Sequence, residues 1–209
     1  MVHMTSPPSD ARRYAPSAAR NRDPIREILI PKLPQQGLVL EIASGSGEHT
    51  AHLASASSVT LTFQPSDPEA ENRASIDAWR AVCGLANIRP AVALDAASAI
   101  WPIVRADVIV CINMIHIAPW QAAEGLIRGA ARTLNQGGYL YLYGPYRRDG
   151  QHTSPGNAAF DESLRAENSQ WGIRDLEAVI ALTTAAGLSA PEIISMPANN
   201  LSLFFHRLT

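Results

Sequence analysis

The stretch LVLEIASGSGEHTAHLA, residues 38–54, carries the densest chemical signal in the chain. An apolar run ends in one acid, Glu41, and small residues follow at alternate positions, Ala43, Gly45 and Gly47, with Ser44 among them. Glycine lets backbone approach a bound group closely, because no Cβ stands in the way. The tail from Thr50 to Ala54 reads as the start of a helix. A strand, a tight small-residue turn and a helix N-terminus together cradle a ligand.

The dinucleotide fingerprint is G-x-G-x-x-G, and from Gly45 the chain reads GSGEHT, with Thr50 where the third glycine would stand. An acid at the strand end is also of no use to a pyrophosphate. A nicotinamide-dependent oxidoreductase is therefore the weaker reading. Glu41 suits a ligand with positive charge, and S-adenosylmethionine (SAM) has two such groups, its ammonium and its sulfonium. Ala43, Ser44, Gly45 and Gly47 would then face its methionyl and ribose portions.

Other polar residues fall at strand ends, where they could meet such a ligand. Asp67, in FQPSDPE, lies 20 positions after Gly47, suited to ribose hydroxyls or to capping the following helix. Asp95 ends the run VALDAAS, suited to the adenine amino group or again to a cap. Asn113 closes the next strand as a lining residue of the cofactor pocket. His116, in NMIHIAPW, is either a general base or a histidine that orients its loop. Trp120 either packs in the core or floors a pocket. Tyr146, beyond Pro145, is the second residue for substrate handling, and Tyr14 the third, closing over the methyl group. Arg20 or Arg22, with Asn21 between them, would pair with the cofactor's carboxylate or stay solvated. EHTAH (48–52) inverts the zincin order H-E-x-x-H, so no metal is expected.

These residues need elements to hold them. Strands are expected at 37–43, 59–64, 90–94, 107–113, 138–144, 191–197 and 201–207, and helices at 23–33, 47–57, 68–84, 119–135 and 172–187. Apolar strands alternating with helices argue an α/β fold, a mostly parallel sheet covered on both faces. Only ANN separates the last two strands, so they form an antiparallel hairpin with Asn199 and Asn200 in its turn. Residues 145–170 read as a long loop over the carboxyl edge of the sheet, where open α/β folds bind ligands. Residues 1–13 are expected to be a flexible segment and 14–209 one domain.

The chain has 209 residues, is 46% hydrophobic and has a formal net charge of −2. It thus shows no basic footprint for nucleic acid. The expectation is no nucleic acid and no membrane partner. The two cysteines, Cys83 and Cys111, sit in apolar patterns and read as reduced thiols of a cytoplasmic protein, monomer or homodimer.

The turn Glu41-x-Ala43-x-Gly45-x-Gly47 resembles motif I of the class I SAM-dependent methyltransferases, with Ala43 where that family often has glycine. The resemblance extends to SAARNRDPI (17–25), LEIASGSGEH (40–49), FQPSD (63–67), INMIHIAPW (112–120), YLYGPYR (141–147), NAAFDESLR (157–165), WGIRDLE (171–177) and MPANNLSLFF (196–205). These phrases are similar to the DUF938 family, which includes methyltransferase-like protein 26, over about residues 14–208. The resemblance implies a Rossmann-like, seven-stranded class I fold and SAM as cofactor, with S-adenosylhomocysteine (SAH) as product. The methyl acceptor would be a small-molecule N, O or S nucleophile. A protein that binds SAM or SAH without turnover, as a regulatory or docking module, is the alternative.

Overall fold

The computed structural model describes residues 10–208. Helix α1 (Pro16–Leu29) leads into β1 (Gly37–Ile42), α2 (Glu48–Ser55), β2 (Leu61–Pro65), α3 (Ala70–Cys83), β3 (Ala106–Ile112) and α4 (Trp120–Thr133). Then follow β4 (Leu134–Arg148), β5 (Gln151–His152), α5 (Pro155–Glu167), β6 (Arg174–Asp175), α6 (Leu176–Ala185), β7 (Glu192–Met196) and β8 (Asn200–His206). The strand order is β2-β1-β3-β4-β8-β7, with the short β5 and β6 pairing β4. Strands β1 to β4 pair in parallel, and β8 is antiparallel to both β4 and β7. Chain order reverses at β1, which has β2 on one side and β3 on the other. Open α/β sheets bind ligands at the carboxyl ends of strands beside such a switch.

Period-two alternation divides the strand residues between two cores. Val39, Phe63, Val108, Val110, Tyr139 and Tyr141 pack with Ile25 and Leu29 of α1 and Leu53 of α2. Leu40, Ile42, Ile109, Leu140 and Leu142 pack on the opposite face with Leu126 and Ile127 of α4 and Val179 of α6. Each large apolar side chain so buried contributes roughly 1.5–3 kcal/mol, and the carboxyl edge is thereby held rigid from both faces.

Several elements differ from the sequence reading. Helix α1 starts at Pro16 rather than residue 23 and continues through Pro24. A proline lacks one helical hydrogen bond, and buried Ile25 and Leu29 hold the helix across that gap. Residues 90–94 form no full strand. They run beside β2 through isolated bridges such as Ser66 to Val92, because Pro90 has no N–H to give and Ala91 N donates instead to Asp77 at 2.9 Å. With the two short strands, the sheet counts eight.

Strand β4 is twice as long as its apolar core suggests, and Pro145 sits within it as the last residue paired with β8, where a missing N–H is tolerated. The expected loop 145–170 is accordingly a strand end, a short hairpin partner and helix α5, capped by Ser154 accepting from Asn157 N at 3.1 Å. In the β7–β8 turn, Ala198 and Asn199 take positive φ, whereas Asn200 is extended at −86°. Of the segment expected to be flexible, residues 1–9 lie outside the described residues. Residues 10–13 run along α3, with Arg13 N donating to Ser75 Oγ at 2.8 Å and Trp79 Nε1 donating to Arg13 O at 3.1 Å.

Candidate cofactor-binding site

The turn after β1 explains its own alternation of small residues. Ala43, Gly45 and Gly47 all have positive φ, at 54°, 56° and 90°, a region that side chains with a Cβ enter at a cost. The turn is clamped to the end of β2. Ser44 N donates to Ser66 O at 2.8 Å, Ser66 Oγ donates to Glu41 O at 2.7 Å, and Gly45 N donates to Asp67 Oδ2 at 3.0 Å. The other oxygen of Asp67 accepts from Glu69 N and from Asn72 Nδ2, each at 3.0 Å. A carboxylate offers about four acceptor positions, so Asp67 can still take one more donor.

Beside this turn a cavity of about 430 Å³ opens at the carboxyl edge, inside the usual range of about 300–1,000 Å³ for small-molecule sites. Ala43, Gly45, Asp67 and Asp95 line it together with apolar Leu94, Ile112 and Met114. Asp95 Oδ1 accepts from Ala97 N at 2.8 Å, so the residue shapes its own turn and keeps one oxygen for a ligand. A larger depression of about 550 Å³, lined by Arg105, Asn135 and Arg207, lies at the amino ends of β3 and β4, away from this chemistry.

The remaining residues singled out in the sequence are not on the cavity wall. Glu41 is buried, accepts from Thr50 Oγ1, and is pushed by burial up to about 7. Ser44 uses its hydroxyl to accept from Ser66 N at 3.2 Å, and Gly47 packs on Ile76. Asn113 has φ 62° and its N–H is bonded to Tyr143 O at 2.8 Å. Arg20 is exposed on α1. Asn21 Oδ1 accepts from His49 Nε2 at 2.8 Å.

The three residues expected to handle substrate are placed elsewhere. His116 and Tyr146 are each 1% exposed and meet edge to face at 5.0 Å. His116 Nδ1 accepts from Arg174 N at 3.4 Å, and burial, with Arg174 nearby, pushes its pKa down to about 3. That matches a histidine orienting its loop, which also takes Gly172 N onto its carbonyl at 2.9 Å. Tyr14 is exposed and packs on Trp79 at 5.2 Å. Trp120 is partly buried against the α4 core.

Sequence reading missed Asn72 and Glu48. Asn72 joins Asp67 to Arg13, whose Nη1 donates to Asn72 Oδ1 at 2.8 Å. Glu48 Oε2 accepts from Ala15 N at 2.7 Å and Ser46 Oγ at 2.9 Å, tying the N-terminal arm to the turn. The only sequence signal was an acid at the start of the expected helix. Among the described residues, no group of three or more His, Cys, Asp or Glu side chains is arranged to hold a metal ion, and no helix is long and apolar enough to cross a membrane.

A protein-family profile described as "Protein of unknown function (DUF938)" matches residues 12–207. The chain belongs to the DUF938 family. Among solved structures, this DUF938 chain is similar to an O-methyltransferase family protein from Burkholderia thailandensis, with a TM-score of 0.79 and 18% identity over 92% of this chain and 58% of the other. An O-methyltransferase family 2 protein from Planctomyces limnophilus in complex with apigenin gives a TM-score of 0.75 and 19% identity over 92% and 60%. CalO1, a methyltransferase in calicheamicin biosynthesis in its SAH-bound form, gives 0.75 and 16% over 92% and 54%. The DUF938 chain thus spans less than two thirds of each of these relatives. The likeness establishes its fold as the Rossmann-like methyltransferase fold.

The buried groups make stability depend on pH in a defined way. His49 and His116 are pushed down by burial to about 4 and about 3, from an ordinary 6.5. The unfolded chain therefore takes up their protons first, and stability is lost as pH falls below 6.5. Glu41 is raised from 4.5 to about 7, so its contribution is present below 4.5 and lost as pH rises towards 7. Between 4.5 and 6.5 two histidines oppose one glutamate, and stability should climb by about 1.4 kcal/mol per pH unit. Above 6.5 the remaining histidine gain and the Glu41 loss nearly cancel. Urea unfolding should show stability rising from pH 4.5 and levelling off near pH 7, and Glu41→Gln, which removes the opposing group, should roughly double the climb between 4.5 and 6.5. A flat profile would contradict these burial assignments.

Proposed function

We propose that the chain binds SAM in the cavity beside the Ala43–Gly47 turn and catalyses methyl transfer to a small-molecule N, O or S nucleophile. The observation that carries this reading is Gly45, whose missing Cβ leaves open space at the cavity wall while its N–H is fixed on Asp67. A backbone held rigidly and left bare in this way suits close approach by a ligand. Asp67 would accept from a ribose hydroxyl, Asp95 from the adenine amino group, and Leu94, Ile112 and Met114 would keep water from the adenine. Ionised, Glu41 would favour the cationic end of the cofactor from behind the turn. Bound there, SAM supplies a methyl group already activated on sulfur, so positioning alone can provide as much as about 7–11 kcal/mol of catalysis. The SAH-bound relative supports the same choice of cofactor.

The burial of His116 and Tyr146 favours, as second reading, a protein that binds SAM or SAH without turnover. In either reading the protein works in the cytoplasm, as monomer or homodimer, on neither nucleic acid nor membrane. Parallel calorimetric titrations with SAM, SAH and NAD test the cofactor. Micromolar binding of the two adenosyl ligands and none of NAD is expected. Binding of NAD alone, or of none of the three, would overturn the proposal.

A further inference from the structure

Arg147, His152 and Asp175 form one row across the end of β4 and the two short strands beside it. Arg147 on β4 is in register with His152 on β5 and with Asp175 on β6, and residues in register project from the same face of a sheet. Strand β4 runs parallel to β3 and through it to β1, so its C-terminal extension carries this row out over the carboxyl edge on which the cofactor cavity opens.

The row is incompletely bonded. Arg147 Nη2 donates to Asp175 Oδ2 at 2.9 Å, but the pair does not close into the two-pronged fork that a guanidinium and a carboxylate favour. Arg147 Nε and Asp175 Oδ1 are both shielded from solvent and have no hydrogen-bond partner among the described residues. The same is true of His152 Nδ1. The other nitrogen of that ring, Nε2, faces Asp161 Oδ2 at 3.4 Å, and Asp161 is itself held by Ile173 N at 2.6 Å and Arg165 Nε at 3.0 Å. A carboxylate on Nε2 places the proton of the neutral ring there and leaves a lone pair on Nδ1. Buried polar atoms without partners are costly. Here one donor and two acceptors belong to residues in register on neighbouring strands.

We infer that this row recognises a hydroxyl group of the substrate. A hydroxyl oxygen accepts from Arg147 Nε while its O–H donates to Asp175 Oδ1, with His152 Nδ1 as the second acceptor of the row. The unpartnered Nε and Oδ1 belong to two groups already joined at their other ends, Nη2 to Oδ2 at 2.9 Å, so a single atom that both accepts and donates suits them better than a carboxamide, which spreads the two functions over two atoms. A carboxylate or phosphate would meet Asp175 with like charge. An ammonium offers Arg147 no lone pair, and an ether offers Asp175 no proton. The inference rests on the methyltransferase reading only in taking the hydroxyl compound to be a substrate, and it narrows the substrate class to compounds that carry a free hydroxyl group.

Arginine Nε–H signals in ¹H–¹⁵N spectra of the full chain, with and without SAH, provide the test. Arg147→Lys removes one signal and so assigns it. Phenol should shift that signal saturably, whereas anisole, benzoate and benzamide at equal concentration should not. Asp175→Asn should weaken phenol binding at least tenfold with the thermal midpoint retained. If that variant does not fold, the comparison of phenol with anisole in the unaltered chain decides alone. Equal shifts from anisole and phenol, larger shifts from benzoate or benzamide, or no shift would overturn the inference. Binding of SAH without a phenol response sinks the hydroxyl site and leaves the cofactor reading standing. A phenol response in a chain that does not bind SAH does the reverse.

Discussion

Gly45→Leu is expected to abolish binding of SAH and leave the chain folded. A Cβ built at Gly45 meets nothing within 4 Å, so the new side chain enters the cavity rather than the protein core. The backbone cannot retreat to make room, because Gly45 N is bonded to Asp67 Oδ2 and its neighbour Ser44 N to Ser66 O. The left-handed φ of 56° adds a stability cost of about 1–2 kcal/mol, too small to unfold a typical domain. Calorimetry should therefore record at least a hundredfold loss of SAH affinity, equivalent to about 2.7 kcal/mol, beside a modest fall in thermal midpoint. Unchanged SAH affinity would remove the turn from the cofactor site.

Gly47→Ala, two residues on, should do the opposite. Its Cβ would lie 2.8 Å from Ile76 Cα, a backbone atom of α3, and its φ of 90° lies outside the left-handed basin that alanine tolerates. Crowding of about 1–3 kcal/mol adds to a backbone cost of about 1–2 kcal/mol. The variant should lose about 2–5 kcal/mol in urea unfolding. A stability within error of the parent chain would mean that α2 and α3 do not pack through this glycine. The two glycines thus separate in experiment, one blocking the ligand and the other loosening the frame.

Sequence alone marked both positions without distinguishing them. Small residues at 43, 45 and 47 report a local backbone need, and local needs are written in the chain. Whether the space beyond a glycine holds a ligand or helix α3 depends on residues far away in sequence, such as Ile76. Asp67 and Asp95 were legible because the ends of short apolar runs can be counted, and both runs end at the carboxyl edge although the second forms only isolated bridges. His116 also follows a strand end, yet it turns inward. The positive φ of Asn113 and the short 3-10 turn after it direct the ring under the sheet extension towards Tyr146, and nothing in NMIHIAPW announces that rotation.

The segment 145–170 shows the same limit. Pro145 read as a break opening a long loop, but pairing with β8, β5 and β6 draws the chain into a continued strand. That pairing sets Arg147 beside His152 and Asp175, residues whose separate positions in the sequence carry no hint of a common row. What the sequence determined by itself was the alternation of strands and helices, the small-residue turn and the acids at strand ends, because each follows from short-range periodicity and backbone sterics. Tertiary structure alone decided which side chains face the cavity, which are sealed in the core and which meet across strands, because those outcomes depend on contacts between segments distant along the chain.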